Sequence, residues 1–159
     1  MLPRNLDGSR DSTQPAGWVE LGQGIPTLMA FAQLASRALS HPVGDATSLS
    51  RHAKALLVAA RQFGTFELRG NTESFQSADR LLAVCVETED QQYLVFKQPS
   101  SPRRTMEFLE GFRQLCAAGF VIHQSHREFA MSADGFAVAD SLNSADYSEE
   151  LSFGRVPEA

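Results

Sequence analysis

The stretch RRTMEFLEGFRQLCAAGFVIHQSHREFAMSADGFAVADSL, residues 103–142, decides the architecture. Phe108, Leu109, Phe112, Leu115 and Cys116 recur at helical spacing and put apolar atoms on one face. Gly119 stops that helix. Phe120-Val121-Ile122 then reads as a strand and Glu128-Phe129-Ala130-Met131 as its partner, across the polar turn His123-Gln124-Ser125-His126. Ser132 stands where an N-cap belongs, just before Ala133-Asp134-Gly135-Phe136-Ala137-Val138-Ala139. The order is helix, glycine, hairpin, capped helix.

Length and composition set the outer bounds. With 159 residues, 43% hydrophobic and 21% charged, the chain is about one globular domain with enough apolar mass for a core. No apolar run approaches the roughly 20 residues that span a bilayer. Met1-Leu2-Pro3-Arg4-Asn5-Leu6-Asp7 lacks the apolar stretch of a signal peptide. Cys85 and Cys116 both lie inside apolar runs and read as free buried thiols, which fits a reducing cytoplasm. A membrane is not expected among the partners.

The net charge is −5, unevenly spread. Residues 1–44 balance, residues 45–142 carry ten basic against twelve acidic groups, and Asp146, Glu149, Glu150 and Glu158 outnumber Arg155 after Asn143. No basic stripe of the kind that marks most nucleic-acid binders is present, although net charge constrains local patches only loosely.

Working outward, residues 1–17 are rich in Asp, Ser, Pro and Gly and read as a flexible N-terminal arm. Residues 18–142 read as one globular domain. Trp18-Val19-Glu20-Leu21 could tuck back onto it. Pro26 suits a first helical position, and Leu28, Met29, Phe31, Ala32, Leu34, Ala35, Ala38 and Leu39 cover most of the circumference of a helix over 26–39. That helix either packs on its own body or offers Leu28, Phe31, Leu34, Ala35 and Leu39 to a partner. Asp45 or Ser48 can cap a second helix running to about Phe63, and Gly64 ends it. Thr65-Phe66-Glu67-Leu68-Arg69 alternates like a strand. Residues 77–87 fit either state: Ser77 and Asp79 favour a helical start, Val84 and Val86 tolerate a strand, and helix is the reading adopted. Tyr93-Leu94-Val95-Phe96-Lys97 reads as a strand. The segment 143–159 reads as an acidic, flexible tail with Tyr147, Leu151 and Phe153 as possible docking points.

The expected fold class is therefore α+β. The helix at 108–119, the strand 120–122 and Arg127-Glu128-Phe129-Ala130-Met131-Ser132 leading to Gly135 resemble the C-terminal end of the winged helix-turn-helix superfamily. The resemblance implies a winged-helix-like body at 45–142, about four helices with short strands and a C-terminal hairpin, plus the extra helix 26–39. In that family the last helix before the hairpin reads DNA, and an extra helix commonly pairs two copies.

Candidate contacts with an anion or nucleic acid follow. Arg103 and Arg104 stand at the start of the 105–118 helix, where cations oppose the macrodipole unless an anion lies nearby. Arg113 and Gln114 could reach base edges from the same helix. His123, His126 and Arg127 decorate the hairpin turn. Each also has an ordinary reading as a solvated or ion-paired surface group. The His-x-x-His spacing with Cys116 or Glu128 falls short of a zinc motif, because no Cys-x-x-Cys or His-Glu-x-x-His accompanies it. Cys85 has no adjacent cation to activate it. Gly22-Gln23-Gly24 lacks the rest of a phosphate loop. No catalytic residue, metal site or cofactor is expected.

Two function classes remain. One is a non-catalytic regulatory or protein-interaction module that contacts another protein or a second copy. The other is a DNA-binding transcriptional regulator using helix 105–118 and the 123–127 turn. Glu107 and Glu110 on that helix would repel phosphates, which favours the first.

Overall fold

The structure is a computed structural model and describes residues 26–38, 43–71 and 73–157. Helix α1 (Pro26–Ala38) starts at a proline and turns Leu28, Phe31, Ala32 and Ala35 inward. Asp45 caps only a short turn, Ala46–Ser48, and not the long helix expected from there; its carboxylate accepts from the Thr47 amide at 2.9 Å. Helix α2 (Arg51–Ala60) begins instead at Ser50, whose hydroxyl accepts from the Ala53 amide at 3.2 Å. Gly64, at φ +69°, turns the chain into β1 (Thr65–Arg69).

Strands β2 (Ala83–Glu87) and β3 (Tyr93–Phe96) follow, then the long helix α3 (Pro102–Ala118). Gly119 at φ +80° ends α3, with the Phe120 amide bonded to the Leu115 carbonyl at 3.0 Å and the Gly119 amide to Cys116 at 3.3 Å. That pair of bonds satisfies carbonyls that a helix end otherwise leaves orphaned. Hairpin β4 (Val121–Ser125) and β5 (Glu128–Met131) leads to α4 (Ala133–Ser141), capped by Ser132 to the Gly135 amide at 3.1 Å. A last turn, α5 (Ser148–Leu151), completes the elements.

The five strands form one antiparallel sheet in the order β3-β2-β1-β5-β4, so the fold is α+β as expected. Alternation sends Phe66, Leu68, Val84, Val86, Phe96, Phe129 and Met131 toward the helices, where they are buried. Phe112 of α3 sits among the rings of Phe31, Phe66 and Phe129 at centroid distances of 5.6, 5.5 and 5.1 Å. Helices α2 and α3 meet backbone to backbone at Gly111, where a Cβ would lie 2.7 Å from the Ala53 nitrogen.

Three expectations are corrected here. Residues 77–87 are not a helix: Ser77–Arg80 makes one short turn and Ala83–Glu87 is a strand paired on both sides. Ala83 to Val86 is buried on both faces, and such a strand reads as a continuous apolar run that periodicity alone cannot separate from helix. Lys97 fixes the preceding turn by donating to the Asp79 and Leu81 carbonyls.

The partner face assigned to helix 26–39 is the second correction. Leu28, Phe31 and Ala35 are buried in the chain's own core and Leu34 packs half-buried against it. The apolar coverage serves a helix laid on α3 and β4. Leu39 lies outside the described residues, as do the arm 1–17 and Trp18–Leu21.

Third, the acidic tail is docked as far as Arg155, not flexible there. Tyr147, Glu150 and Phe153 are buried. Arg51 donates to Glu150 at 2.6 Å and lies over the Tyr147 ring, while Arg61 donates to the Ala139 and Leu142 carbonyls at the end of α4. Phe153 stacks on Phe108 at 5.2 Å, and Val95 and Arg155 exchange backbone hydrogen bonds of 2.8 and 3.0 Å. The reason is the outer edge of β3, whose open backbone groups and neighbouring Phe108 the tail satisfies.

Candidate interaction surface

On α3 every candidate cation is already engaged within the chain. Arg103 reaches Glu107 at 3.3 Å, one turn on. Arg104 lies over the Phe153 ring at 5.2 Å and reaches Glu149 at 3.5 Å. Arg113 makes two bonds to Glu110, at 2.6 and 2.7 Å. Hydrogen bonding from Arg113 holds the Glu110 carboxyl below its ordinary range, and the same pair raises the Arg113 guanidinium. Gln114 points back to α2, its side-chain oxygen accepting from the Ser50 amide at 2.9 Å. These residues tie helices together and neutralise one another; they do not form a positive face.

The hairpin turn is a separate place. His126 adopts φ +46°, and its carbonyl lies 3.1 Å from His123 Nε2. The His123 ring meets Phe129 edge-on at 5.1 Å. Arg127 is exposed at the side chain, while its carbonyl accepts from the Leu68 amide at 3.1 Å. Cys116, one of the weighed metal partners, is in the core, and burial pushes its thiol up. Among the described residues no three of His, Cys, Asp or Glu gather as a metal site. Burial also pushes the Cys85 thiol up, to about 12, so neither sulfur is a nucleophile near neutrality.

Between α2 and α3 runs a shallow groove of about 410 Å³, lined by His52, Arg103, Met106, Glu107 and Gln114 among others. His52 lies edge-on to Phe108 at 4.8 Å and 3.4 Å from Glu107. The nearby Ser50 hydroxyl caps α2, accepting from the Ala53 amide at 3.2 Å.

A further surface is the face of the sheet turned away from the helices. Strand alternation and register put Thr65, Glu67 and Arg69 of β1 there, with Cys85 and Glu87 of β2, Tyr93 and Val95 of β3, Glu128 and Ala130 of β5 and Ile122 of β4. Arg69 bonds Glu67 at 2.7 Å and lies 4.5 Å over the Tyr93 ring, and Cys85, opposite Glu67 in register, is buried. Burial first, then the carboxylates of Glu67, Glu87 and Glu128 with opposition from Arg69, raises the Tyr93 phenol above its usual value. A half-exposed layer of Tyr, Val, Ile, Ala and Thr with four charged groups is a surface suited to contact. Sequence reasoning centred on the arginines missed it. The signal was present in the strict alternation of Thr65-Phe66-Glu67-Leu68-Arg69, which puts Glu67 and Arg69 side by side.

Compared with protein-family models, curated proteins and solved structures, the chain finds no match. Among the described residues no helix is long and apolar enough to cross a membrane.

Proposed function

We propose that this chain is a non-catalytic protein-interaction module whose contact surface is the outward face of its sheet. The observation that carries the reading is that face itself: among the described residues the helices pack on the other side, leaving Tyr93, Val95, Ile122 and Ala130 half-exposed among Glu67, Arg69, Glu87 and Glu128. Aromatic and aliphatic groups edged by charged ones match the core and polar rim of a protein interface. The pairing of β1 with the second hairpin strand, beside the helix–hairpin–helix at 102–141, supports the winged-helix part of this reading. Use of that unit on DNA is disfavoured by the carboxylates that neutralise Arg103, Arg104 and Arg113. A reducing, cytoplasmic setting is part of the proposal and is supported by two buried free thiols.

The test pairs two measurements. A photo-crosslinking amino acid replaces Tyr93, with Asp140 on α4 as the control position, in the cells that make the protein. Retention of random-sequence duplex DNA is measured at about 50 and 200 mM salt, where phosphate-driven binding changes steeply. A discrete protein adduct from position 93 alone, without DNA retention, is expected. DNA retention that falls with salt and with Arg103→Ala/Arg104→Ala, with no adduct at 93, overturns the proposal.

A further inference from the structure

The charges on the open sheet face are not balanced. Register places Glu67 directly opposite Glu128. The Leu68 amide bonds to Arg127 and the Met131 amide to Gly64, so the intervening Glu67–Glu128 pair is of the non-hydrogen-bonded type, in which side chains approach most closely. Like charges set this way repel across the strands. Arg69 offsets Glu67, whereas among the described residues Glu128 has only the Ser125 hydroxyl, which donates to it at 3.2 Å. The repulsion gives the isolated fold nothing and is relieved by a cation laid over it.

A second feature lies at the end of that face, where β2 runs into its turn and meets the end of α2. At the end of β2, next to Tyr93, a cavity of about 430 Å³ opens between the end of α2 and the β2–β3 turn. Its walls include Phe63, Gln62, Glu87, Thr88 and Glu89. Phe63 is 42% exposed, which is unusual for a ring this large, and the Gln62 amide holds Glu89 at 3.3 Å. An aromatic wall facing carboxylates accommodates the aliphatic stem of a lysine or arginine against the ring and its charge between the acids. Glu87 belongs to both places, pairing with Tyr93 on the sheet and lining the cavity. Sheet spacing sets Glu128 about 12 Å from Glu87 at the backbone, two strands across and two residues along. An extended peptide covers that span in about four residues.

We propose that the open sheet face takes a basic, extended segment of a partner protein, one cation seated against Phe63 between Glu87 and Glu89 and another, about four residues away, over Glu67 and Glu128. The inference rests on the interaction reading above and names the chemistry of its partner.

The probe is a fluorescein-labelled peptide, Lys-Thr-Val-Thr-Lys-Thr-Val-Thr-Lys, with a counterpart carrying Glu in place of each Lys. Anisotropy is read on the full chain at low salt. The lysine peptide is expected to bind, the glutamate peptide not, and Glu87→Gln/Glu89→Gln to weaken binding about tenfold or more while circular dichroism and the unfolding midpoint stay near wild type. Phe63→Ala is expected to weaken it several-fold, and Glu128→Gln likewise. Absence of lysine-peptide binding, or equal binding by the Glu87→Gln/Glu89→Gln variant, overturns the proposal. Repeating the position-93 crosslink in a Glu87→Gln/Glu89→Gln/Glu128→Gln background separates this proposal from the broader one. An adduct that survives there leaves the interaction reading standing and removes the basic partner. An adduct lost there supports both, and no adduct in any background removes the interaction reading itself.

Discussion

Replacing Phe153 by alanine tests whether the acidic tail is part of the body. The Phe153 side chain is 4% exposed, stacked on Phe108 at 5.2 Å with an interplanar angle of 11°, and covered by the Arg104 guanidinium. Full burial of a phenylalanine contributes about 1.5–3 kcal/mol, and an aromatic pair adds about 0.5–1.5 kcal/mol. The cavity left behind adds more when its walls cannot collapse, so the expected loss is about 3–5 kcal/mol. That is a large share of the roughly 5–15 kcal/mol that holds a domain folded. If the tail instead peels away, the loss is capped at the free energy of tail docking. Urea unfolding of wild type and Phe153→Ala gives the magnitude. Amide exchange at Val95 and Arg155 shows which route is taken, because those amides bond only to each other's carbonyls across the tail–β3 junction. A loss below about 1 kcal/mol, with protection at Val95 unchanged, would refute the reasoning, since a buried stacked ring cannot be removed at so small a cost.

Other expectations follow from the same geometry. Gly135→Ala places a Cβ 2.3 Å from the Phe120 carbonyl oxygen and 2.5 Å from Met131, so α4 must shift off the hairpin; a fall in thermal midpoint of more than about 10 °C is expected by calorimetry. The Glu150 carboxyl is held below its ordinary value of 4.5 by its hydrogen bond from Arg51. A carboxyl depressed in the folded state stabilises fully above its unfolded value and ceases to do so as pH falls through the folded one. The urea midpoint should therefore drop on acidification below about pH 4.5, and less steeply in Glu150→Gln. Neither cysteine should react with a thiol reagent in the native protein near pH 7, because both are buried and the Cys85 thiol is pushed up to about 12. Rapid labelling of one thiol without denaturant would show that the sheet face over Cys85 opens.

The helix–glycine–hairpin–cap series at 102–141 was legible because each piece carries a local signal: the Phe108–Phe112–Leu115 face, the left-handed Gly119, the Ser132 cap. Phe66 and Leu68 could likewise be read as core from alternation alone. The candidate site was less legible. Arg103, Arg104 and Arg113 looked like anion contacts because a sequence shows a cation without its counter-ion; Glu149, which reaches Arg104, is 45 residues away along the chain. The acids of the open face were equally hidden, since Glu67, Glu87 and Glu128 belong to three separate strands.

The sequence by itself determined the α+β class, most helix and strand positions and the burial of both thiols, because these follow from periodicity, caps and local apolar runs. Tertiary structure alone decided that 83–87 is a central strand, since only pairing to β1 and β3 distinguishes a doubly buried strand from a short helix. It also turned the apolar side of 26–38 inward and drew the tail onto β3. Both depend on contacts between residues far apart in the chain, whose free energy outweighs the local preferences that a sequence displays.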